Sequence, residues 1–405
     1  MAVYRQLEQR GPLITGELTR RRLLEGLGAA GAVGLAGSLA QAEPSAATGG
    51  LKAFIREKMA AAHLPSLGLS MVHGQDLTWS WGRGFANFED GVKADGDTVY
   101  MLASVSKTVT CAAVMQLWEA GSLDLDADVN RYLPFEVRNP SFPHHRITTR
   151  MLLTHTSSIR DRYSVWGAPY SHPTLYFHGD SPIPLGKFEH GYLVPGGHWY
   201  VPDQNFYNEP PGTKYHYSNI AAALSGFVVE CVSGVRFWRH CDREIFKPLG
   251  MEQTGWHLRD ITTSNLAMPY YWKLHSPTYT PYFQYGYPDY PDGELRTSAS
   301  ALSRWLRCFI NHGSLDGVRI LKRRTVEEIR KPQIPGIWWQ GLIWYYTRQK
   351  GHVIMGHNGG DYGVSTQMFF NPKSDVGVIL LMNRYIGGYR AWRDVLEIQA
   401  RLFET

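Results

Sequence analysis

A serine and a lysine stand three residues apart in Ser104-Val105-Ser106-Lys107, the only S-x-x-K spacing in the chain. On a helix, positions i and i+3 share one face, so the lysine ammonium would meet the serine hydroxyl. A helix N-terminus also favours negative charge on the serine oxygen. Apolar neighbours predict that burial lowers the pKa of Lys107, which would let it accept or relay a proton. The same pattern also fits a helix cap followed by a solvated lysine.

A second pattern, Tyr217-Ser218-Asn219, is the only Y-x-N in the chain and opens another apolar helical stretch. A phenol beside a lysine ammonium is expected to ionise at a pKa well below 10. Tyr217 could then be the general base toward a serine and the general acid toward the leaving group. Asn219 could orient the lysine and the substrate. The alternative is a buried tyrosine followed by a helix-capping asparagine.

A third pattern, His357-Asn358-Gly359, is the only H-x-G and is followed by Gly360. It comes at the end of a predicted strand, and two glycines would let a substrate lie close to the strand edge. The backbone N–H groups of Gly360 and Ser104 could then form an oxyanion hole for an acyl oxygen. The alternative is a strand-end turn whose histidine faces solvent.

Apolar periodicity and turn residues predict the elements that hold these motifs. Strands are expected near both ends of the chain and helices at the ends and in the middle. Between residues 155 and 210 lies a long aromatic segment that either lines a pocket or covers the core. The expected strands are 66–72, 77–84, 342–347, 352–357, 364–370 and 376–382, and the expected helices are 51–63, 105–119, 147–154, 219–232, 236–246 and 388–403.

The order S-x-x-K, Y-x-N, H-x-G resembles the motif triplet of the penicillin-recognising serine hydrolases. Within that family, the Y-x-N motif resembles the branch that holds class C β-lactamases, D-alanyl-D-alanine carboxypeptidases, related esterases and D-amino-acid amidases. Flanking stretches such as ITTRMLLTHTSSI and PGTKYHYSNIAAALSGFVVE look like the same branch, and the likeness covers roughly residues 51–403.

The resemblance implies an α+β fold in which an antiparallel sheet, flanked by helices, is built from both chain ends. The expected sheet unit comprises residues 49–120 and 297–405, with a mostly helical unit inserted at 121–296. Ser104 would be the nucleophile, Lys107 its activator and Tyr217 the general base. Asn219, His357 and Gly359 would bind substrate. No metal or organic cofactor is expected, and which of Lys107 and Tyr217 accepts the proton stays open.

The third motif departs from that of efficient β-lactamases, which carry lysine at the position of His357. Histidine has a usual pKa of about 6.5 and is mostly neutral near pH 7. Asn358 also replaces the hydroxyl residue that helps to hold a substrate carboxylate. Losing one charge-assisted contact costs roughly 1.5–3 kcal/mol. We therefore expect esters or small amides as substrates, with a D-alanyl-D-alanine carboxypeptidase or weak β-lactamase as the alternative. A non-catalytic envelope protein is the third hypothesis.

The N-terminal segment has the features of an export signal. Thr19-Arg20-Arg21 and Leu23-Leu24 resemble the twin-arginine motif, and a weakly apolar Gly/Ala-rich run and a small-residue cleavage site at Ala40-Gln41-Ala42 follow. Residues 1–42 are therefore predicted to be a signal peptide, which would make the mature chain periplasmic or secreted. A membrane anchor is the alternative.

Composition narrows the class of protein further. Of the 405 residues, 43% are hydrophobic and 19% charged, as in a globular protein. A net charge of +5 is too small to indicate a nucleic-acid partner. The four cysteines are too few for a disulfide scaffold, and the histidines show no metal-ligand spacing. A small-molecule substrate is expected, and the composition does not indicate an oligomeric state.

Overall fold

The computed structural model of the protein describes residues 46–167, 174–273 and 277–405. The predicted signal peptide lies outside these residues. Strands occur near both ends of the described chain and in the segment between them. They are β1 (Ser66–His73), β2 (Asp76–Asn87), β3 (Val92–Lys93), β4 (Val99–Met101), β5 (Phe177–His178), β6 (Tyr270–Lys273), β7 (Thr278–Pro281), β8 (Tyr285–Gly286), β9 (Arg296–Ser298), β10 (Ser314–Leu315), β11 (Val318–Arg319), β12 (Tyr345–Gln349), β13 (His352–Asp361), β14 (Val364–Phe370) and β15 (Val376–Met382).

The helices surround the sheet and fill the middle of the chain. A single 3₁₀ turn, Ala103–Ser106, directly precedes the second helix, and a π-helical turn, Asp242–Phe246, continues the sixth. The helices are α1 (Ala46–Ala61), α2 (Lys107–Glu119), α3 (Thr149–Leu153), α4 (Leu185–Leu193), α5 (Asn219–Ser233), α6 (Phe237–Cys241), α7 (Ala299–Ile310), α8 (Arg323–Arg330) and α9 (Tyr389–Phe403).

The largest sheet has seven strands in the order β12-β13-β14-β15-β1-β2-β3, and all neighbours are antiparallel. The first strands of the chain thus pair with the last, through β1 and β15. Helices α1 and α9 cover one face of the sheet and α7 packs on the other. This confirms the predicted α+β class with an antiparallel sheet built from both ends.

Alternation of side chains along the central strands explains why both faces need a cover. On β15, Val378 and Leu380 pack toward α1 and α9, whereas Ile379 and Leu381 join the core on the opposite face. All four are fully buried. A strand with apolar residues on both faces must be central and covered by helices on each side.

The middle of the chain carries α3 to α6 and the short strands β5 to β8, within the residues that the structure describes. Helix α5 is apolar almost all round and packs against α2. Where the sheet unit ends and the inserted unit begins stays a prediction.

Two predicted elements differ from the structure in kind, and not only in their bounds. The stretch 342–347 was expected to be a strand, but β12 begins only at Tyr345. Leu342, Ile343 and Trp344 are buried in the core, and Ile343 has a left-handed φ of 60°, which a strand cannot contain. The predicted helix 236–246 is α-helical only to Cys241 and continues as a π-helical turn.

Cys111, Cys231, Cys241 and Cys308 are free thiols. Among the described helices, none is by itself long and apolar enough to cross a bilayer. One bent pair of helices has the required length and apolar composition only when its two members are taken together: Asn219–Ser233 and Phe237–Phe246.

Candidate active site

Ser104 lies in the tight turn that leads into α2. The preceding residue, Ala103, has a φ of 47°, a conformation that residues other than glycine rarely adopt. The backbone strain thus lies at Ala103, directly before Ser104, and such strain is often found at functional sites. The α-helix itself begins at Lys107, two residues later than the sequence predicts.

The side chains of the first two motifs meet at Ser104. The Lys107 ammonium donates to Ser104 Oγ at 2.9 Å, and the Tyr217 hydroxyl donates to the same oxygen at 2.8 Å. Lys107 is only three residues from Ser104, whereas Tyr217 is 113 residues away, so the tertiary fold is needed to bring the phenol to this turn. Both donor–acceptor distances are short enough for direct proton transfer.

Lys107 is fully buried and faces a carboxylate that the sequence did not indicate. Its Nζ donates to the backbone oxygen of Asp292 at 2.6 Å and lies 3.2 Å from Asp292 Oδ2. Burial by itself lowers the pKa of Lys107, but the negative charges that Tyr217 and Asp292 can carry outweigh it and raise that pKa. The expectation of a lowered pKa for Lys107 was therefore wrong, because the buried ammonium faces groups that can carry negative charge.

The pKa of Tyr217 also differs from the predicted one. Burial raises the pKa of Tyr217, and the Lys107 ammonium offsets only part of that effect. The expectation of a phenolate well below pH 10 was therefore wrong. The ring is held by His155, whose centroid lies 4.3 Å away and whose Nδ1 accepts the Ser218 backbone N–H at 3.2 Å.

Asn219 is placed at the first turn of α5. Ser218, rather than Asn219, caps this helix, because Ser218 Oγ accepts the Ala221 N–H at 3.0 Å. The Asp161 carboxylate accepts the Asn219 N–H at 2.7 Å and adds its charge to the helix N-terminus. Asn219 Oδ1 is buried and, among the described residues, has no hydrogen-bond partner. It is thus an acceptor available to a ligand.

The predicted contact between Asn219 and Lys107 is not among the hydrogen bonds of the described residues. Lys107 instead bonds Ser104 and both the backbone and the carboxylate of Asp292. An ionised partner binds an ammonium more strongly than an amide oxygen does. Asp292 therefore makes the contact with Lys107 that was predicted for Asn219.

The third motif lies at the C-terminal end of β13, beyond the start of β12. His357 is buried, its ring centroid lies 6.3 Å from that of Tyr217, and its Nδ1 lies 2.6 Å from the Asn358 carbonyl. Burial and the nearby Lys107 charge lower the pKa of His357 to about 3. The ring is therefore neutral at physiological pH and supplies no cation. Tyr345 packs edge-on against it at 5.3 Å.

Gly359 is the point of closest approach between β13 and the serine turn. A Cβ there would lie 2.4 Å from the Leu102 carbonyl oxygen and 2.9 Å from the Ser104 backbone nitrogen. No larger residue fits without moving backbone. The next residue, Gly360, is exposed, and its part in an oxyanion hole stays a prediction. Printed distances bring together five of the predicted site residues: Ser104, Lys107, Tyr217, His357 and Gly359.

Sequence reasoning missed three residues that shape this site: His155, Asp161 and Asp292. His155 belongs to a stretch that was used only as a family likeness, and its φ of 57° marks a specialised backbone position. Asp161 is fixed by α5, 57 to 59 residues further along the chain. Asp292 meets Lys107 across 185 residues, so no local pattern could reveal it.

The aromatic segment is divided between core and site. Trp166, Tyr192 and Phe206 are buried, and Trp166 donates its indole N–H to Asp289 at 3.0 Å. Tyr176 reaches the C-terminal end of β13. The buried rings support the interpretation that the segment covers the core, and its lining of a pocket stays a prediction.

One group of described side chains has the spacing of a cation site. The ligand atoms of Asp180, His257 and Glu294 lie within 4.8 Å of one another. Arg259 already pairs with Asp180 at 3.2 Å, and Arg296 pairs with Glu294 at 3.3 Å. Two guanidinium groups balance both carboxylates, so this group fits a structural ion-pair network better than a metal site.

The seven-stranded sheet, the helical segment between its ends and the converging motifs define a β-lactamase/transpeptidase-like fold. The family model described as Beta-lactamase matches residues 51–400. The chain therefore belongs to the Beta-lactamase family.

Solved structures give the same fold at low sequence identity. The octameric penicillin-binding protein homologue from Pyrococcus abyssi has a TM-score of 0.67 and 23% identity, covering 88% of this chain and 78% of its own. The D-amino acid amidase from Ochrobactrum anthropi SV3 complexed with L-phenylalanine has a TM-score of 0.69 and 18% identity, covering 88% and 98%. These likenesses show the fold.

Among curated proteins, Protein flp from Staphylococcus aureus (strain N315) is 22% identical over 334 residues, which is 81% of this chain and 61% of that protein. The chain thus spans about three fifths of the length of this relative.

Proposed function

We propose that the protein is a serine hydrolase that forms an acyl-enzyme on Ser104 and acts on esters or small amides. One observation carries the proposal: Ser104 Oγ lies 2.9 Å from the Lys107 ammonium and 2.8 Å from the Tyr217 hydroxyl. A nucleophile in contact with two groups that can exchange protons is the arrangement that acyl transfer requires. Membership of the Beta-lactamase family supports the same chemistry.

In the proposed acylation, the Lys107–Tyr217 pair first loses one proton to the solvent. Asp292 keeps the charge on Lys107, so the proton leaves the phenol, and the phenolate faces the ammonium. Ser104 Oγ then attacks the substrate carbonyl carbon while its proton passes to Tyr217. The N–H groups of Ser104 and Gly360 hold the oxyanion. When the ester or amide bond breaks, the Tyr217 hydroxyl returns its proton to the leaving group.

Deacylation reverses the roles with water in place of the alcohol or amine. Water loses a proton to Tyr217 as its oxygen attacks the acyl carbon, and Ser104 Oγ regains a proton as the acyl bond breaks. Asn219 Oδ1, buried and without a described partner, is suited to accept an N–H of the substrate. Each step is balanced with water as the only co-substrate.

The neutral His357 supports esters and small amides over penicillins. A ring whose pKa is about 3 cannot attract the carboxylate that penicillins and terminal D-alanine carry. A D-alanyl-D-alanine carboxypeptidase or weak β-lactamase is the second candidate, favoured by the fold likeness to penicillin-binding protein homologues.

A substrate panel tests the two candidates. The purified chain without residues 1–42 is assayed against p-nitrophenyl esters of several chain lengths, nitrocefin and a D-Ala-D-Ala peptide. We expect the esters to be turned over most efficiently. Preferred turnover of the peptide or nitrocefin would reverse the assignment, and inertness toward all of them would favour the non-catalytic hypothesis.

Replacing Asp292 with asparagine is expected to shift the pH dependence of ester hydrolysis. Asp292→Asn keeps the backbone contact to Lys107 but removes the negative charge 3.2 Å from Nζ. Without that charge the pKa values of both Lys107 and Tyr217 fall, so the phenol loses its proton at lower pH. The alkaline rise of kcat/KM for p-nitrophenyl acetate should move toward neutral pH. A profile superimposable on that of the wild type would contradict this role.

Gly359→Ala is expected to lower kcat/KM by about 10²-fold, because displacement of site backbone by about 1 Å can have that effect. The added Cβ would collide with the Leu102 carbonyl and the Ser104 nitrogen, so β13 and the serine turn must separate. Gly387→Ala is the matched control, since its Cβ meets no described atom nearer than 3.6 Å. Equal activity of the two variants would contradict the close approach.

We further propose that the chain is exported by the twin-arginine route. The proposal rests on Arg20 and Arg21, the weakly apolar run after them and the cleavage pattern at Ala40-Gln41-Ala42. N-terminal sequencing of the secreted protein should give a first residue near Glu43. Export that persists after both arginines are changed to lysine would exclude this route.

A further inference from the structure

The last residue of β13, Asp361, directly follows Gly360. Alternate residues of a strand share a face, so Asp361 lies on the face of His357 and Gly359. That face looks toward the serine turn, because a Cβ on Gly359 would lie 2.9 Å from the Ser104 nitrogen. Asp361 is half-buried beside the exposed Gly360, and it thus borders the region where an acyl group would lie.

Tyrosines surround this carboxylate. The Tyr176 hydroxyl donates to Asp361 Oδ1 at 3.0 Å, and the Tyr362 backbone N–H donates to the same oxygen at 2.7 Å. The ring of Tyr176 lies edge-on to Tyr287 at 5.7 Å and to Tyr362 at 5.1 Å. The Tyr287 hydroxyl is a third hydrogen-bond donor to this carboxylate. Tyrosine rings beside a carboxylate form a setting that attracts cations.

No described lysine, arginine or histidine forms an ion pair with Asp361. Burial raises the pKa of Asp361 to about 7, even though the hydrogen bonds from Tyr362 and Tyr176 favour its charged form. A half-buried carboxylate without a counter-ion is costly to keep charged. A cation that binds beside it would remove that cost. The position next to the proposed oxyanion hole makes a substrate the natural source of that cation.

We propose that Asp361, with Tyr176, Tyr287 and Tyr362, binds an ammonium group on the acyl side of the substrate. This inference rests on the proposed function of Ser104 and narrows its substrate class to esters and amides of amino acids with a free amino group. Amino acids whose nitrogen is acylated, as within a peptide, carry no charge there. The site therefore selects against the interior residues of peptides.

The test compares substrates that differ only in the amino group. kcat/KM is measured for the p-nitrophenyl esters of D-alanine, L-alanine and propionic acid, each corrected for spontaneous hydrolysis. The wild type should prefer one alanine ester over the propionyl ester by about 10- to 100-fold, the effect of one charge-assisted contact. In Asp361→Asn, which keeps an acceptor for Tyr176, that ratio should fall to near one.

A matched control separates this effect from a general change in charge. Glu136→Gln removes an exposed carboxylate, which lies 3.7 Å from Arg138, and should leave the alanine-to-propionyl ratio unchanged. Should Asp361→Asn fail to fold, wild-type inhibition decides: alaninamide should compete with p-nitrophenyl acetate at least tenfold more tightly than propionamide does.

Three results would overturn the inference: a wild-type ratio near one, a ratio unaffected by Asp361→Asn, or equal inhibition by the two amides. Failure of the proposed function looks different. In that case the wild type would turn over none of the three esters above the rate of Ser104→Ala.

Discussion

Ser104→Ala is expected to lower kcat for p-nitrophenyl acetate by about 10³-fold or more. The substitution removes the one oxygen, among the described residues, with which both the Lys107 ammonium and the Tyr217 hydroxyl form a hydrogen bond. Without it no acyl bond to the protein can form. The fold should be kept, because alanine fits wherever serine did, and the melting temperature should change little. Stopped-flow and steady-state assays at equal enzyme concentration measure the loss.

Ser106 supplies the control within the same turn. It is buried, and its Oγ accepts the Leu295 backbone N–H at 3.2 Å. Ser106→Ala leaves that N–H without its partner, which costs about 1–3 kcal/mol of folding free energy. We expect a lower melting temperature with most turnover retained. The reverse pattern, in which Ser106→Ala is inactive and Ser104→Ala active, would refute Ser104 as the nucleophile.

Tyr217→Phe is expected to lower kcat/KM by about 10²- to 10⁴-fold, the usual contribution of a positioned acid or base. The variant loses the hydroxyl 2.8 Å from Ser104 Oγ but keeps the ring that packs against His155 at 4.3 Å. The effect should therefore be on rate rather than on stability. Thermal unfolding and kcat/KM measured on the same sample distinguish the two.

Tyr215→Phe is the matched comparison, because Tyr215 precedes Tyr217 by two residues and packs on Trp339 at 4.9 Å. Loss of its hydroxyl removes no contact with Ser104, so activity should stay within a few-fold of wild type. Equal losses in Tyr215→Phe and Tyr217→Phe would show that the segment, rather than the phenol, matters.

The geometry of the site could be predicted from sequence because each motif is attached to a local structural signal. Ser218 caps α5, so Tyr217 had to precede a helix. Gly359 and Gly360 follow a predicted strand, and they lie near the C-terminal end of β13. Three such anchors, in the order that the family resemblance supplied, were enough to indicate that Ser104, Tyr217 and His357 converge.

The electrostatics of the site could not be predicted in the same way. The pKa of Lys107 depends on Asp292, which lies in a turn 185 residues away and belongs to no motif. A helix with apolar neighbours suggested an apolar pocket, but the charges that Tyr217 and Asp292 can carry reversed the direction of the pKa shift of Lys107. Local sequence reports which face a residue occupies, but only the tertiary fold reports which charge it meets.

The misplaced strand at 342–347 has a similar cause. Leu342, Ile343 and Trp344 are apolar and β-prone, so they suggested a strand. In the fold, Trp344 stacks on Phe309 of α7 at 3.8 Å, and the chain bends at Ile343 before β12 begins. Tertiary packing against a helix that lies earlier in the chain overrode the local preference.

The central claim is that Ser104 is a nucleophile activated by its two neighbours, and covalent labelling tests it most directly. The folded wild type is treated with a fluorophosphonate, digested, and the modified residue located by tandem mass spectrometry, which separates Ser104 from Ser106. The account predicts one adduct, on Ser104, that is absent in Ser104→Ala and forms much more slowly in Tyr217→Phe. No adduct on the wild type, or an adduct on another residue, would contradict it.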